Sequence, residues 1–284
     1  MTDFKTILVH LNHESRVPYL IAAAASLARP TKAHVIGLYV MPPIIVPADV
    51  IFPMGSFDMV EPQIEMHRAQ AERIRAIFEN STKGEPFVSE WRKLDYVDSA
   101  IVTIADGVVE EAHAVDLVIA SQAQSDIRAS GISDVAERVA LESGRPVLVI
   151  PESWDTKAYG THVAVAWNGR REATRATFDS MPILRQAEVR LLTVVSDEEF
   201  GRANTLPGGE IAATLARHGL NVEVQTIDRY GNDTGDALLS HVASDGANLL
   251  VMGAYGHSRF KEFILGGVTR HVLKHMTVPV LMSH

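Results

Sequence analysis

The sequence predicts an α/β protein built as two tandem, doubly wound, five-stranded parallel sheets. Three observations predict this fold class: one pattern occurs twice along the chain, short apolar runs alternate with helical stretches, and those runs are apolar throughout. A strand without polar alternation is covered on both faces, which is typical of a parallel sheet with helices on each side. Alternating strands and helices then imply right-handed crossover connections.

The repeat begins with two matching strands. Residues 6–12 (TILVHLN) and 162–168 (HVAVAWN) are short apolar runs that end in asparagine. A helical stretch follows each run, at 19–29 in the first half and at 171–186 in the second. Each half closes with a strand that begins at a proline. We expect five strands per half, at about 6–12, 33–40, 86–92, 115–120 and 146–150, and at 162–168, 188–195, 221–228, 248–252 and 279–282.

The boundary between the repeats falls near residues 152–160, where polar residues and glycine replace the apolar run. We therefore predict two domains, residues 1–152 and residues 160–284. The first half is longer because it carries an extra Pro-rich, apolar segment, Met41 to Pro62. A long apolar segment of this kind is typical of a lid or an interface, and packing on its own domain is an equal alternative.

Composition excludes several classes of protein. The 284 residues include 26 Lys and Arg against 35 Asp and Glu, a net charge of −9, which disfavours sequence-independent nucleic-acid binding. There is no cysteine, so disulfides, thiolate catalysis and Cys-ligated metals are excluded. The first residues do not resemble an export signal, and no apolar run reaches the roughly 20 residues that a membrane span needs. We expect a cytoplasmic protein that binds neither nucleic acid nor membrane.

The strongest local signal for a ligand site follows the fourth strand of the second half. Gly253 and Gly256 come directly after the apolar run, and after nine intervening residues Gly266 and Gly267 precede the last helix. Glycine permits close backbone approach to a ligand and positive φ. A helix N-terminus offers unpaired N–H groups and a positive dipole end to an anion. With the Thr269 hydroxyl, these residues predict a phosphate site that needs no lysine.

The pattern Gly-x-x-Gly, nine residues, then Gly-x-Val-Thr resembles the nucleotide-binding signature of the universal stress protein family. The closing residues 278–281 (VPVL) are similar to that family's last strand. The resemblance covers essentially the whole chain as two tandem copies. It implies a Rossmann-like sheet of the adenine-nucleotide-hydrolase kind in each half and ATP binding where the glycine signature is present. It also implies a homodimer and pairing of the two halves within the chain, since domains of that family often pair through their last strands.

The resemblance also implies binding residues by position. Asn168 stands where the family often has an Asp near the adenosine, and Val195 ends the strand whose backbone contacts adenine. Two positions depart from the family pattern, because Asn168 replaces an acid and Gly267 replaces a Ser or Thr. No catalytic residue and no protein metal ligand is predicted. The expected residues for ATP, with or without Mg²⁺, are Ala166, Asn168, Val195, Met252, Gly253, Gly256, Gly266, Gly267, Val268 and Thr269.

The first half lacks the signature. Ser121 and Gln124 stand at the first two glycine positions, and Ser133 and Asp134 stand at the second pair. A carboxylate at Asp134 would cap its own helix and repel a phosphate. We therefore predict a nucleotide in the second half and none, or a different ligand, in the first.

Three functions remain open from the sequence. The first is a regulatory or stress-response ATP-binding protein, because no base, nucleophile or carboxylate pair accompanies the phosphate site. The second is a slow ATPase or phosphotransferase that uses Asp228 or Asp233. The third is a scaffold that binds a non-nucleotide ligand in the first half, where His10 and His13 would line a polar pocket. The sequence has no Walker A, dinucleotide-binding or nucleophile-elbow motif.

Overall fold

The computed structural model describes residues 3–44, 57–95, 103–123, 135–155, 158–195, 207–229, 231, 233–255 and 267–284. All ten predicted strands are present in these residues, so the predicted α/β fold class is confirmed. The first half contains β1 (Thr6–His10), β2 (His34–Val40), β3 (Ser89–Leu94), β4 (Leu117–Ser121) and β5 (Val147–Ile150). The second half contains β6 (His162–Ala166), β7 (Glu188–Val195), β8 (Asn221–Asp228), β9 (Leu249–Gly253) and β10 (Val280–Ser283).

Helices connect the strands. One predicted helix, at 171–186, is two helices in the structure, because the first ends at Asp179 and Pro182 lies in the first turn of the second. Proline has no N–H group to continue a helix from the preceding turn. The helices are α1 (Val17–Thr31), α2 (Phe57–Thr82), α3 (Ile104–Ala112), α4 (Val135–Glu142), α5 (Arg171–Asp179), α6 (Met181–Leu184), α7 (Gly209–Arg217), α8 (Thr234–Ser244) and α9 (Gly267–His275).

The strands form one ten-stranded sheet in the order β3-β2-β1-β4-β5-β10-β9-β6-β7-β8. Each half contributes five parallel strands, as predicted, and the two halves share the same internal strand order. At the junction the last strands of the two halves, β5 and β10, pair in antiparallel orientation, an orientation that no sequence pattern indicated. Val147 lies opposite Met282, and Val149 lies opposite Val280.

Both faces of the sheet are covered by helices, which explains the continuous apolar strands. Leu148 and Leu281 belong to the core under α1, α2, α5, α6 and α7. Val149 and Val280 belong to the core under α3, α4, α8 and α9. All four of these strand side chains are fully buried. Alternate residues of the central strands therefore enter different cores.

The segment between the halves contacts the first half. The Tyr159 hydroxyl donates a hydrogen bond to the carbonyl oxygen of Ala23 at 2.8 Å, and its ring packs edge-on against Trp154. Burial raises the pKa of Tyr159. The division into domains at 1–152 and 160–284 stays a prediction, and most of the predicted lid segment, residues 45–56, lies outside the described residues. Within the part of the chain that the structure describes, no helix has the length and apolarity needed to span a bilayer.

Candidate functional site

A cavity of about 280 Å³ opens at the carboxyl ends of the strands in the second half. The strand order reverses there, since β6 lies between β9 on one side and β7 on the other. Ligands of open α/β sheets bind at such a reversal. The lining residues are Ala166, Trp167, Asn168, Ala173, Leu192, Val194, Thr234, Leu238, Met252, Gly253, Gly267, Val268 and Thr269.

The floor of the cavity is apolar. Leu192 and Val194 lie two residues apart on β7 and present the same face, and Met252 lies near the end of β9. Leu238 of α8 closes one side, and the small side chain of Ala166 leaves space above β6. An apolar slot with a few polar groups at its rim is typical of a small-molecule site.

Three helices begin at this cavity. Ala173 lies in the first turn of α5, Thr234 begins α8, and Gly267 begins α9, and all three residues line the cavity. The side chains of the N-cap residues Arg170 and Asp233 make no capping hydrogen bond. The first N–H groups of α5 and α8 therefore lack a side-chain cap at the N-cap position. Positive dipole ends from three directions favour an anion at this place.

Gly253 is required for packing. A Cβ carbon built on Gly253 would lie 2.6 Å from the backbone nitrogen of Ala173 and 2.6 Å from the carbonyl carbon of Glu172. Of the two properties that glycine offers, Gly253 uses close approach and not positive φ, since it belongs to β9. The residue after β9 with positive φ is Tyr255, at φ 60°. Glycine at 253 thus lets the first turn of α5 lie directly against the end of β9.

Thr269 connects α9 to the chain that leaves β9. Its buried hydroxyl oxygen accepts a hydrogen bond from the backbone N–H of Tyr255 at 3.2 Å. A hydroxyl that accepts a bond retains its own proton for a second partner. Thr269 can therefore fix residues 253–255 and also donate into the cavity.

Asn168 also has a local structural contact. Its side-chain oxygen accepts a hydrogen bond from the backbone N–H of Arg170 at 3.1 Å, which shapes the turn before α5. This contact leaves its side-chain NH₂ group as the donor that faces other partners. Asn168 thereby combines a turn-forming role with a place in the cavity wall.

Seven of the ten predicted binding residues surround the cavity. They are Ala166, Asn168, Met252, Gly253, Gly267, Val268 and Thr269. Val195 is not among the lining residues, whereas its neighbour Val194 is, and the backbone contact expected of Val195 stays a prediction. Gly256 and Gly266 lie outside the described residues.

Sequence reasoning missed several lining residues. Leu192 and Val194 could have been found from strand periodicity once β7 was placed at the site. Thr234 and Leu238 could not, because their position depends on how α8 packs across the sheet. The alternative catalytic residues Asp228 and Asp233 do not line the cavity.

His271 connects two walls of the cavity. Its Nε2 atom lies 2.9 Å from a carboxylate oxygen of Asp236 on α8, and its ring stacks against His275. A Cβ carbon on Gly235 would lie 2.8 Å from the His271 ring, so α8 and α9 are in close contact. Across the described ranges, no group of three or more His, Asp or Glu side chains is placed to hold a metal ion.

The first half uses the matching position differently. Ser121 ends β4 as Gly253 ends β9, and its hydroxyl accepts a hydrogen bond from Arg16 Nε at 3.2 Å. The same guanidinium donates to the carbonyl oxygens of Pro151 at 2.7 Å and Glu152 at 2.9 Å. Arg16 is only 6% exposed, and burial lowers its pKa. A buried arginine therefore occupies the end of β4.

His10 ends β1 as Ala166 ends β6. Burial lowers the pKa of His10 to about 4, against a smaller opposing effect of a hydrogen bond with Asn12. The imidazole is therefore neutral at pH 7. Asn12 in turn donates to the carbonyl oxygen of Val40 at 3.0 Å. The first half thus has a larger, polar side chain where the second half has a methyl group. Gln124, Ser133 and Asp134 lie outside the described residues.

Comparison with known proteins agrees with this geometry. Residues 162–284 match the family model described as the universal stress protein family. The curated Universal stress protein Slr1230 of Synechocystis sp. is 26% identical over 152 residues, which cover 51% of this chain and 49% of that protein. The match thus spans about half the length of this relative.

Solved structures resemble the whole chain. A universal stress protein from Archaeoglobus fulgidus DSM 4304 has a TM-score of 0.67 at 16% identity, covering 98% of both chains. A putative universal stress protein from Pseudomonas aeruginosa UCBPP-PA14 has a TM-score of 0.58 at 13% identity, covering 99% of this chain and 93% of that one. At these identities the likeness shows the fold.

A parallel sheet with helices on both faces, and with a cavity at its switch point, defines an α/β protein of the Rossmann-like class. The second half of the chain, residues 162–284, is the part that matches the universal stress protein family model.

Proposed function

We propose that this protein binds ATP in the cavity of its second half and that occupancy serves a regulatory or stress-response role. The observation that carries the proposal is the convergence of three helix N-termini on a cavity with an apolar floor. The apolar floor suits a purine ring. The helix N-termini suit the negative charge that the polyphosphate of ATP supplies.

The residues around the cavity are compatible with this ligand. Among the described residues, no atom lies within 4 Å of a Cβ carbon built on Gly267, so none of them fills the space beside the start of α9. Asn168, Thr234 and Thr269 supply polar side chains at the rim. Among the described lining residues no side chain is ionisable, which favours binding over hydrolysis as the first role. Any Mg²⁺ would be held mainly by the phosphates.

We propose one nucleotide per chain. Arg16 fills the end of β4 in the first half through its three hydrogen bonds, and His10 replaces the alanine of the second half. We also propose that the halves are domains that pair within the chain through β5 and β10. A homodimer would then use the outer strands β3 or β8, since the last strands are already paired.

Titration calorimetry with ATP tests the proposal. One substitution then tests whether the phosphates lie at the start of α9. Gly267→Asp places a carboxylate at the first position of α9, where it suits the helix dipole but repels a phosphate. We expect about tenfold weaker ATP binding, or about 1.4 kcal/mol, without loss of thermal stability. Gly209→Asp is the matched control, because Gly209 begins α7, also faces open space and does not line the cavity.

Three results would contradict the proposal. They are no heat of binding at millimolar ATP, two equivalent sites per chain, or equal ATP affinity in Gly267→Asp and Gly209→Asp. The first result would remove ATP as the ligand, the second would remove the difference between the halves, and the third would move the phosphates away from α9.

A further inference from the structure

A side chain from the first half caps α9 in the second half. Gln122 directly follows β4, and its Nε2 atom donates to the carbonyl oxygen of Leu273 at 2.8 Å and to that of Lys274 at 3.3 Å. The last carbonyl groups of a helix have no partner within the helix. Gln122 therefore satisfies the C-terminal end of the helix whose first turn lines the cavity.

The orientation of the Gln122 amide is fixed by its other contacts. Its side-chain oxygen accepts a hydrogen bond from the backbone N–H of Glu152 at 2.9 Å. The backbone N–H of Gln122 donates to the carbonyl oxygen of Ile150 at 2.8 Å. Arg16 holds the carbonyl oxygen of Glu152 in the same place. With the amide oxygen bound to an N–H group, its NH₂ group is directed at α9.

The two ends of α9 therefore contact different halves of the chain. The helix has nine residues and is about 13 Å long. Gly267, Val268 and Thr269 lie at the cavity, and Leu273 lies against Gln122. A helix of this length moves as one body. A change at its capped end is therefore transmitted to the N–H groups at its first turn.

We propose that Gln122 is a positioning residue for the nucleotide cavity, so that the first half controls ATP affinity in the second half by holding α9. The inference rests on the proposed function. The first half then acts as the support of a single site, and its Ser121–Gln122 segment has exchanged phosphate binding for helix capping. Because coupling is reciprocal, ATP in the cavity also strengthens the cap.

Three variants test the inference by calorimetry with ATP. Gln122→Leu removes both hydrogen bonds to α9, and we expect roughly fivefold weaker ATP binding. Gln122→Lys keeps donors that bind helix C-terminal carbonyls and suit the dipole, so affinity stays within about twofold of the wild type. Gln186→Leu is the control, because Gln186 is exposed and lies in the second half outside the cavity lining.

Amide hydrogen exchange supplies a second readout that needs no nucleotide. Gln122→Leu should speed exchange at the C-terminal amides of α9, and Gln122→Lys should restore it. In the wild type, ATP should slow exchange at both ends of α9. In Gln122→Leu it should slow exchange only at the first turn.

The outcomes separate the two proposals. A wild type that binds no ATP refutes the proposed function. Amide hydrogen exchange at α9 without nucleotide still tests whether Gln122 caps the helix. Unchanged exchange in Gln122→Leu overturns the inference. A lower melting temperature with wild-type ATP affinity also overturns it, because Gln122 would then only stabilise the fold.

Discussion

Gly253 and Ala173 approach so closely that a Cβ carbon on Gly253 would lie 2.6 Å from the Ala173 backbone nitrogen. The contact brings the first turn of α5 against the end of β9. Both residues line the cavity, so this contact sets the distance between two of its walls. Backbone atoms cannot rotate away as a side chain can. The position therefore excludes every residue other than glycine unless α5 moves.

We predict that Gly253→Ala destabilises the protein by about 1–3 kcal/mol, the usual cost of overpacking a close contact. Urea unfolding measures the change. Gly267→Ala is the control, because its new methyl group meets no atom of the described residues within 4 Å and alanine has a higher helix propensity than glycine. Equal unfolding midpoints in the two variants would show that α5 moves without cost.

The Thr269 hydroxyl makes the second contact that shapes the site. Thr269→Val keeps the shape of the side chain but removes the acceptor for the Tyr255 N–H. We predict a loss of about 1–2 kcal/mol in unfolding free energy, because a part-buried donor loses its partner. Thr269→Ser retains the hydroxyl and should recover most of the loss. If Val and Ser variants unfold at the same urea concentration, the bond contributes nothing.

Much of the fold could be predicted because the residues of a strand by themselves indicate that it is a strand. The runs at 188–195 and 221–228 match β7 and β8 residue for residue, since Val and Thr occur in both runs, together with Leu in the first and Ile in the second. The pairing of β5 with β10 was suggested only by the family resemblance, in which last strands often pair, and by no pattern in the residues themselves. It depends on which strand edges meet, and no local pattern specifies that.

The site was predicted only in part, for the same reason. The glycine signature identified the start of α9 and the end of β9. The sequence predicted that Gly253 allows close approach of the backbone to a ligand. In the structure Gly253 allows close approach to the backbone of α5. Arg16 and Gln122 gave no signal, since their partners lie more than 100 residues away along the chain. Polar residues of this kind are ordinary surface residues until the fold brings their partners together.

The neutral, partly buried His10 makes the stability of the protein depend on pH. Its pKa is about 4 in the folded state, mainly because of burial, and 6.5 in an unfolded chain. Between these values the unfolded state binds a proton that the folded state does not. The contribution of His10 is therefore fully present above pH 6.5 and is lost as pH falls toward 4. The difference in pKa corresponds to about 3 kcal/mol.

His10→Gln tests this dependence, because glutamine keeps a polar side chain and does not titrate. We expect the unfolding free energy of the wild type to fall more steeply than that of His10→Gln between pH 6.5 and 4.5, in urea unfolding at several pH values. His13 and the carboxylates titrate in both proteins, so the difference between the two curves isolates His10. Parallel curves would mean that the His10 ring is already protonated, or still in contact with water, in the folded state.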